Sequence, residues 1–249
     1  MPQSKLMEQI IENLKQIEAR ITAACERAGR AREEVKLLLA TKTVTPERIK
    51  VAFEAGYTLI AENKVQELKE KYDALSDVPH TNHFIGHLQT NKVKEILRYG
   101  VSCVESVDKL DLAQKLQQRL ATEDKHLDVL LQVNTSAEES KYGVAPDKAL
   151  DLARAVAQCD RLHIKGLMTI GLFSAEEEKV RVCFQLLRRL QGEIAALGLP
   201  GVVMEELSMG MSGDLEIAIE EGATIVRVGT AIFGKRVYPD SYYWKESRE

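Results

Sequence analysis

Leu6, Ile10, Leu14, Ile17, Ile21 and Cys25 recur at steps of three or four, and Gly29 follows. That spacing lays one apolar stripe along a helix over about residues 4–28. The rhythm then changes. Residues 35–41 form a short apolar run with no polar face, the pattern of a strand buried on both sides. Thr45-Pro46 starts a helix with proline at its first position, and Gly56 stops it. The alternation then repeats. Strands are expected at 35–41, 58–61, 82–85, 101–104, 127–133, 164–170, 204–208 and 224–228, with a helix after each. Ser106 and Ser212 stand where they could open the helices that follow the fourth and seventh strands, and Ser174-Ala-Glu-Glu177 has the capping-box spacing.

Eight strand–helix units in 249 residues predict an α/β fold: a (β/α)8 TIM barrel with an extra N-terminal helix, one domain over residues 1–249. A doubly wound open sheet is the competing arrangement. Its first turn carries Gly-x-Gly-x-x-Gly, whereas TKTVTP follows the first strand here.

A barrel keeps its chemistry at the C-terminal ends of its strands. Those ends are Lys42, Glu62-Asn63, Gly86-His87, Glu105, Asn134, Met168-Thr169, Ser208 and Arg227. Two loops stand out. SMGMSGD and VRVGTAIFG place small residues where barrels commonly hold phosphate, after strands seven and eight. Ser208, Gly210, Gly229 and Thr230 form a candidate phosphate cradle, with Arg227 as its cation. The first strand lies beside the eighth when a barrel closes, which brings Lys42 to that cradle. An amine next to a phosphate site suits two chemistries: a Schiff base with pyridoxal phosphate, or one with a phosphorylated sugar as in class I aldolases.

Composition removes other classes. The formal net charge is −4 and no basic block occurs, which argues against nucleic acid. No apolar run is long enough for a membrane span or a signal peptide. Cys25, Cys103, Cys159 and Cys183 are scattered without CxxC spacing, so free thiols, no metal site and a cytoplasmic location are expected. The tail from about residue 237 is aromatic and charged.

LLLATKTV, ENKVQEL, HFIGHLQTNK, VNTSAEESKYG, KGLMTIG, LSMGMSGD and VRVGTAIFG, in this order, resemble the pyridoxal phosphate homeostasis proteins. That family is similar to the barrel domain of alanine racemases. The resemblance covers roughly residues 35–236. It implies a barrel carrying pyridoxal 5′-phosphate as a Schiff base on Lys42. It further implies that Ser208, Gly229 and Thr230 hold the phosphate, with Arg227 near the phosphate or ring, and that Asn63, His87, Asn134 and Met168 line the pocket. The implied role is to keep vitamin B6 and amino-acid pools balanced by holding the cofactor and delivering it to apoenzymes, without established turnover. Where relatives often have Phe-Gly-Glu-Asn, this chain has Ile60-Ala61-Glu62-Asn63. Lys141 keeps the family's Lys-x-Gly spacing, as a solvated loop residue or as a secondary site for the aldehyde.

Three other readings compete. A racemase needs a second base, which alanine racemases take from a C-terminal β domain; Tyr238, Tyr242 and Tyr243 are poor substitutes for it. An aldolase lysine on strand six would have to be Lys165, which is expected near the bottom of the barrel. A partner-binding regulator is the third. His80, His83 and His163 are read as surface or hydrogen-bonded rim residues. A lone barrel needs no partner to complete its site, so a monomer is expected. With Arg227 as strand-eight neighbour, no strong acid is expected at the ring nitrogen, which would weaken the cofactor as an electron sink.

Overall fold

The computed structural model describes residues 3–139 and 141–234, so the tail from about 237 lies outside the described residues. Eight parallel strands close on themselves in sequence order. They are β1 (Lys36–Ala40), β2 (Leu59–Glu62), β3 (Thr81–Phe84), β4 (Val101–Val107), β5 (Leu127–Gln132), β6 (Leu162–Met168), β7 (Val202–Ser208) and β8 (Ile225–Val228). The first pairs with the last through Leu38↔Arg227 and Leu39↔Val228, which closes the ring. The expected TIM barrel is therefore present. Helices cover its outside: α1 (Gln3–Arg27), α2 (Pro46–Glu54), α3 (Val65–Leu75), α4 (Val93–Arg98), α5 (Leu110–Glu123), α6 (Ala149–Val156), α7 (Glu177–Ala195), α8 (Leu215–Glu220) and the single turn α9 (Thr230–Phe233).

Strand alternation divides the core in two. On β1, Leu37 and Leu39 face the helices and join the large outer cluster, whereas Leu38 faces the axis. Leu38, Ala61, Cys103, Leu130, Met168 and Ile225 fill the barrel interior as a separate apolar cluster. All four cysteines are free and buried. The apolar stripe of α1 buries Ile10, Leu14, Ile17 and Ile21 against α2, α8 and α9. Its polar side grips the last strand–helix unit and the loop before α8. Asn13 Nδ2 donates to the Ile232 carbonyl at 2.8 Å, and Arg20 donates to the Ser212 carbonyl at 2.8 Å and to Glu216.

Three expected caps are not formed. Strand β4 continues to Val107, shifting its pairing with β5 after Val104, so Glu105 and Ser106 lie inside the strand and α5 starts only at Leu110. Ser174 precedes α7 by a full turn; its hydroxyl accepts the Glu176 N–H at 3.0 Å, and no capping box forms. Ser212 is displaced by Asp214, whose carboxylate accepts the Met211 N–H at 2.6 Å and closes the loop before α8. Lys165 sits mid-strand at the irregular step of β6, half-buried, rather than near the strand's start.

That irregular step also brings two strands unusually close. A Cβ on Gly166 would meet the Glu206 carbonyl oxygen at 1.9 Å. Gly166→Ala must therefore push β6 away from β7. It is expected to lower stability by about 3 kcal/mol, measured by urea unfolding.

Candidate functional site

Lys42 leaves β1 in a tight turn. The Thr41 carbonyl accepts the Val44 N–H at 2.9 Å, which places Lys42 and Thr43 at the two corners. Thr43 has φ 65°, a left-handed conformation that branched residues rarely adopt. The turn directs Lys42 to a cavity of about 300 Å³ at the barrel mouth. Arg227, Gly229 and Thr230 line the same cavity, as do Ser212, Gly213 and Asp214 from the loop after β7. Leu172 and Phe173 supply an apolar wall. The cavity thus joins an amine, a guanidinium and two loops of small residues at the position where barrels hold phosphate.

Below this cavity lies a buried polar chain. Arg227 donates to the Ser208 hydroxyl at 2.8 Å and to the Thr169 carbonyl at 2.8 Å. Ser208 donates to Glu105 Oε2 at 2.5 Å. His83 Nδ1 lies 2.6 Å from Glu105 Oε1. An ionised carboxylate only accepts, so Nδ1 carries the proton in that bond. Burial works to raise the Glu105 carboxyl. The His83 bond and the charges of His83 and Arg227, with the Ser208 bond, outweigh it and hold Glu105 below its ordinary value. Burial pushes Arg227 down in turn, opposed by Glu105 and Asp214.

The expected site residues separate into groups. Lys42, Arg227, Gly229 and Thr230 converge at the mouth. Ser208 lies one layer deeper, its hydroxyl engaged by Glu105 and Arg227, and Met168 belongs to the interior apolar cluster. Gly210 has φ 94° and a Cβ there would meet the Ala218 Cβ at 2.5 Å, so it shapes the loop against α8. Asn63 and His87 line a neighbouring groove of about 660 Å³ between α2, α3 and α4. His87 stacks on Tyr142 with ring centroids 4.0 Å apart. Asn134 turns into its own loop, donating to the Glu138 carbonyl at 2.9 Å. Lys141 donates to the Gly171 carbonyl at 2.8 Å and pairs with Glu138. His83 is hydrogen-bonded as expected, but to the barrel interior.

Two features went unread in the sequence. One is Asp214, a carboxylate within the candidate anion loop, where burial raises its pKa despite the Met211 N–H and Arg227. The other is a group of Glu62, Glu67 and Lys71 behind Lys42. Lys71 falls in step with Leu68 and Leu75 on the apolar face of α3, which was its one visible sign.

A closed parallel barrel with a mouth-facing lysine defines a class, and residues 12–237 match the family model described as alanine racemase, N-terminal domain. A relative from Aquifex aeolicus, named pyridoxal phosphate homeostasis protein, is 44% identical over 227 residues, covering 91% of this chain and 98% of the relative. The chain belongs to that family of pyridoxal phosphate homeostasis proteins. A crystal structure of an unknown protein from Bifidobacterium adolescentis is similar with a TM-score of 0.88 at 40% identity, covering 94% of this chain and 98% of that one. The structure of PipY from Synechococcus elongatus with PLP bound has a TM-score of 0.79 at 29% identity, covering 90% of this chain and all of that one.

Proposed function

We propose that this chain holds pyridoxal 5′-phosphate as a Schiff base on Lys42 and serves intracellular vitamin B6 and amino-acid balance. In this reading the chain is a single-domain, cytoplasmic monomer that keeps the cofactor and passes it to apoenzymes. The observation that carries the reading is the convergence of Lys42, Arg227, Gly229 and Thr230 in one cavity of about 300 Å³. That volume is at the lower end of ligand pockets and suits a small ring with one phosphate. The names of the relatives and the PLP-bound PipY structure support the same ligand.

The donor set fits. Pyridoxal phosphate supplies an electrophilic aldehyde and an anionic anchor when bound. Lys42 would be the residue that takes the aldehyde as a Schiff base, with loss of one water. Gly229, Thr230 and the loop after β7 would hold the phosphate through backbone N–H groups. Arg227 contributes positive charge and holds Ser208 and Thr169 in place beneath. Ile85 and Leu172 would offer the ring apolar surface.

Protein exposed to pyridoxal phosphate is expected to gain a visible absorbance band and, after borohydride reduction, a mass increase on the peptide containing Lys42. Lys42→Ala is expected to lose both. An unchanged band in Lys42→Ala, or no uptake by the wild type, would reject the reading. Adding amino acids to the loaded protein then separates holding from turnover, since a carrier accumulates no product. Sedimentation at several concentrations checks the monomer.

A further inference from the structure

Three hydrogen bonds reach the two residues flanking Lys42 from outside the barrel wall. The Thr41 hydroxyl donates to Glu62 Oε1 at 2.6 Å. The Thr41 carbonyl accepts from Lys71 Nζ at 2.8 Å. The Thr43 N–H donates to Glu67 Oε2 at 2.6 Å. Lys71 Nζ links the carboxylates, 2.7 Å from Glu62 Oε1 and 2.7 Å from Glu67 Oε2. Glu62 and Lys71 are buried, while Glu67 is part-buried and, with Lys71, borders the neighbouring groove. None of the three side chains lines the cavity that Lys42 reaches.

We propose that Glu67, with Lys71 and Glu62 behind it, is a positioning residue for Lys42: it holds the strained turn that aims the amine into the barrel mouth. This rests on the reading of Lys42 as the attachment point. In a turn closed by the Thr41 carbonyl and the Val44 N–H, the third residue is Thr43 at φ 65°. Glycine or asparagine normally occupies that position, because a branched side chain crowds the backbone there. Left unrestrained, Thr43 relaxes towards negative φ. That rotates the Lys42–Thr43 peptide and redirects the Lys42 side chain. The Glu67 carboxylate is the restraint, since it binds the Thr43 N–H only when that bond points outward. Lys71 fixes the carboxylate and the Thr41 carbonyl together, so both ends of the turn share one anchor. Buried ion clusters add little net stability against well-packed apolar alternatives. Strain held by such a cluster at a reactive residue instead marks a device for geometry.

The distinguishing experiment uses the full chain and pyridoxal phosphate itself. Glu67→Asp keeps the charge but withdraws the carboxylate by one methylene. It is expected to keep the far-ultraviolet circular dichroism of the wild type while its dissociation constant for pyridoxal phosphate rises about tenfold. Adding Thr43→Gly to Glu67→Asp is expected to recover most of that loss, because glycine adopts positive φ without restraint. A merely structural role for Glu67 predicts no such rescue. Thr43→Pro keeps the Glu67 side chain but removes both the N–H it accepts and access to positive φ. Proline cannot reach φ 65°, so the borohydride-trapped adduct at Lys42 should fall by about tenfold or more. Wild-type affinity in folded Glu67→Asp, absence of rescue by Thr43→Gly, or a normal adduct in Thr43→Pro would each overturn the proposal. Lys42→Ala is run alongside. A wild-type adduct on Lys42 with unmoved variants rejects the positioning role alone. No adduct on Lys42 in the wild type rejects the attachment reading, and the positioning role with it.

Discussion

Arg227→Leu is expected to lower stability by about 3–5 kcal/mol near neutral pH, because it removes a buried cation that faces a buried carboxylate. Arg227 is 5% exposed and Glu105 is fully buried. Between them lies only the Ser208 hydroxyl, at 2.8 Å from the guanidinium and 2.5 Å from the carboxylate. Burial works to raise Glu105, but the His83 bond and charge, and then the Arg227 charge, hold it below its ordinary pKa in the folded protein. A depressed folded pKa contributes stability that is present above the unfolded value and lost as pH falls through the folded one. With the guanidinium gone, one of the charges that lowers Glu105 is lost and its pKa moves up, with the His83 bond still opposing burial. The penalty in Arg227→Leu should therefore be largest at neutral pH. It should shrink as the pH falls and the buried carboxyl takes up a proton. Urea unfolding of both proteins at pH 7 and pH 5 checks this, and a penalty that does not depend on pH would contradict it.

The second large effect has the opposite sign with pH. Burial raises Glu62 to about 7, opposed by Lys71 and aided by Glu67, with the Lys71 and Thr41 bonds also working to lower it. Its second oxygen is buried and has no hydrogen-bond partner among the described residues. A carboxyl whose folded pKa lies above its unfolded value binds more protons when folded. Stability from this group is then present at low pH and declines as pH rises from the unfolded value of about 4.5 towards 7. The decline should amount to about 3 kcal/mol. Glu62→Gln lacks it. The stability of the wild type relative to Glu62→Gln should therefore fall across that window, in unfolding titrations at pH 4.5, 6 and 8. Lys71 and Glu67 both face Glu62, so Lys71→Met should move its titration further upwards.

The barrel was legible because its signals are local and repeated. Each strand is a short apolar run, and each helix after it carries a 3.6-residue period. Lys42 was legible for a related reason: an apolar run that ends in lysine is unusual once the strand is known to be buried on both sides. What escaped were side chains whose meaning depends on a distant partner. Glu67 and Lys71 are spaced as an ordinary i,i+4 pair, which on sequence reads as a solvated helix face. Only the fold shows that β2 presents Glu62 to them. His83 lies in a four-residue strand too short to show alternation, so its inward face was invisible. Ser106 looked like a cap because strand length is weakly encoded, and the shifted β4–β5 pairing lengthens the strand past it. Asn63 and His87 followed their motifs to strand ends, yet those ends open on the larger groove beside α3.

The grip of α1 on Ser212, Glu216 and Ile232 has a consequence for how the chain is made. Its partners lie about 200 residues downstream, at separations of 192, 196 and 219. The β1–β8 pairing spans a similar interval. A ribosome adds about 5–20 residues per second, so the apolar stripe of the first helix waits of order ten seconds or more for its seat. Nascent chains halted before residue 212 should bind hydrophobic-surface chaperones through that helix, and release should follow once β8 has emerged.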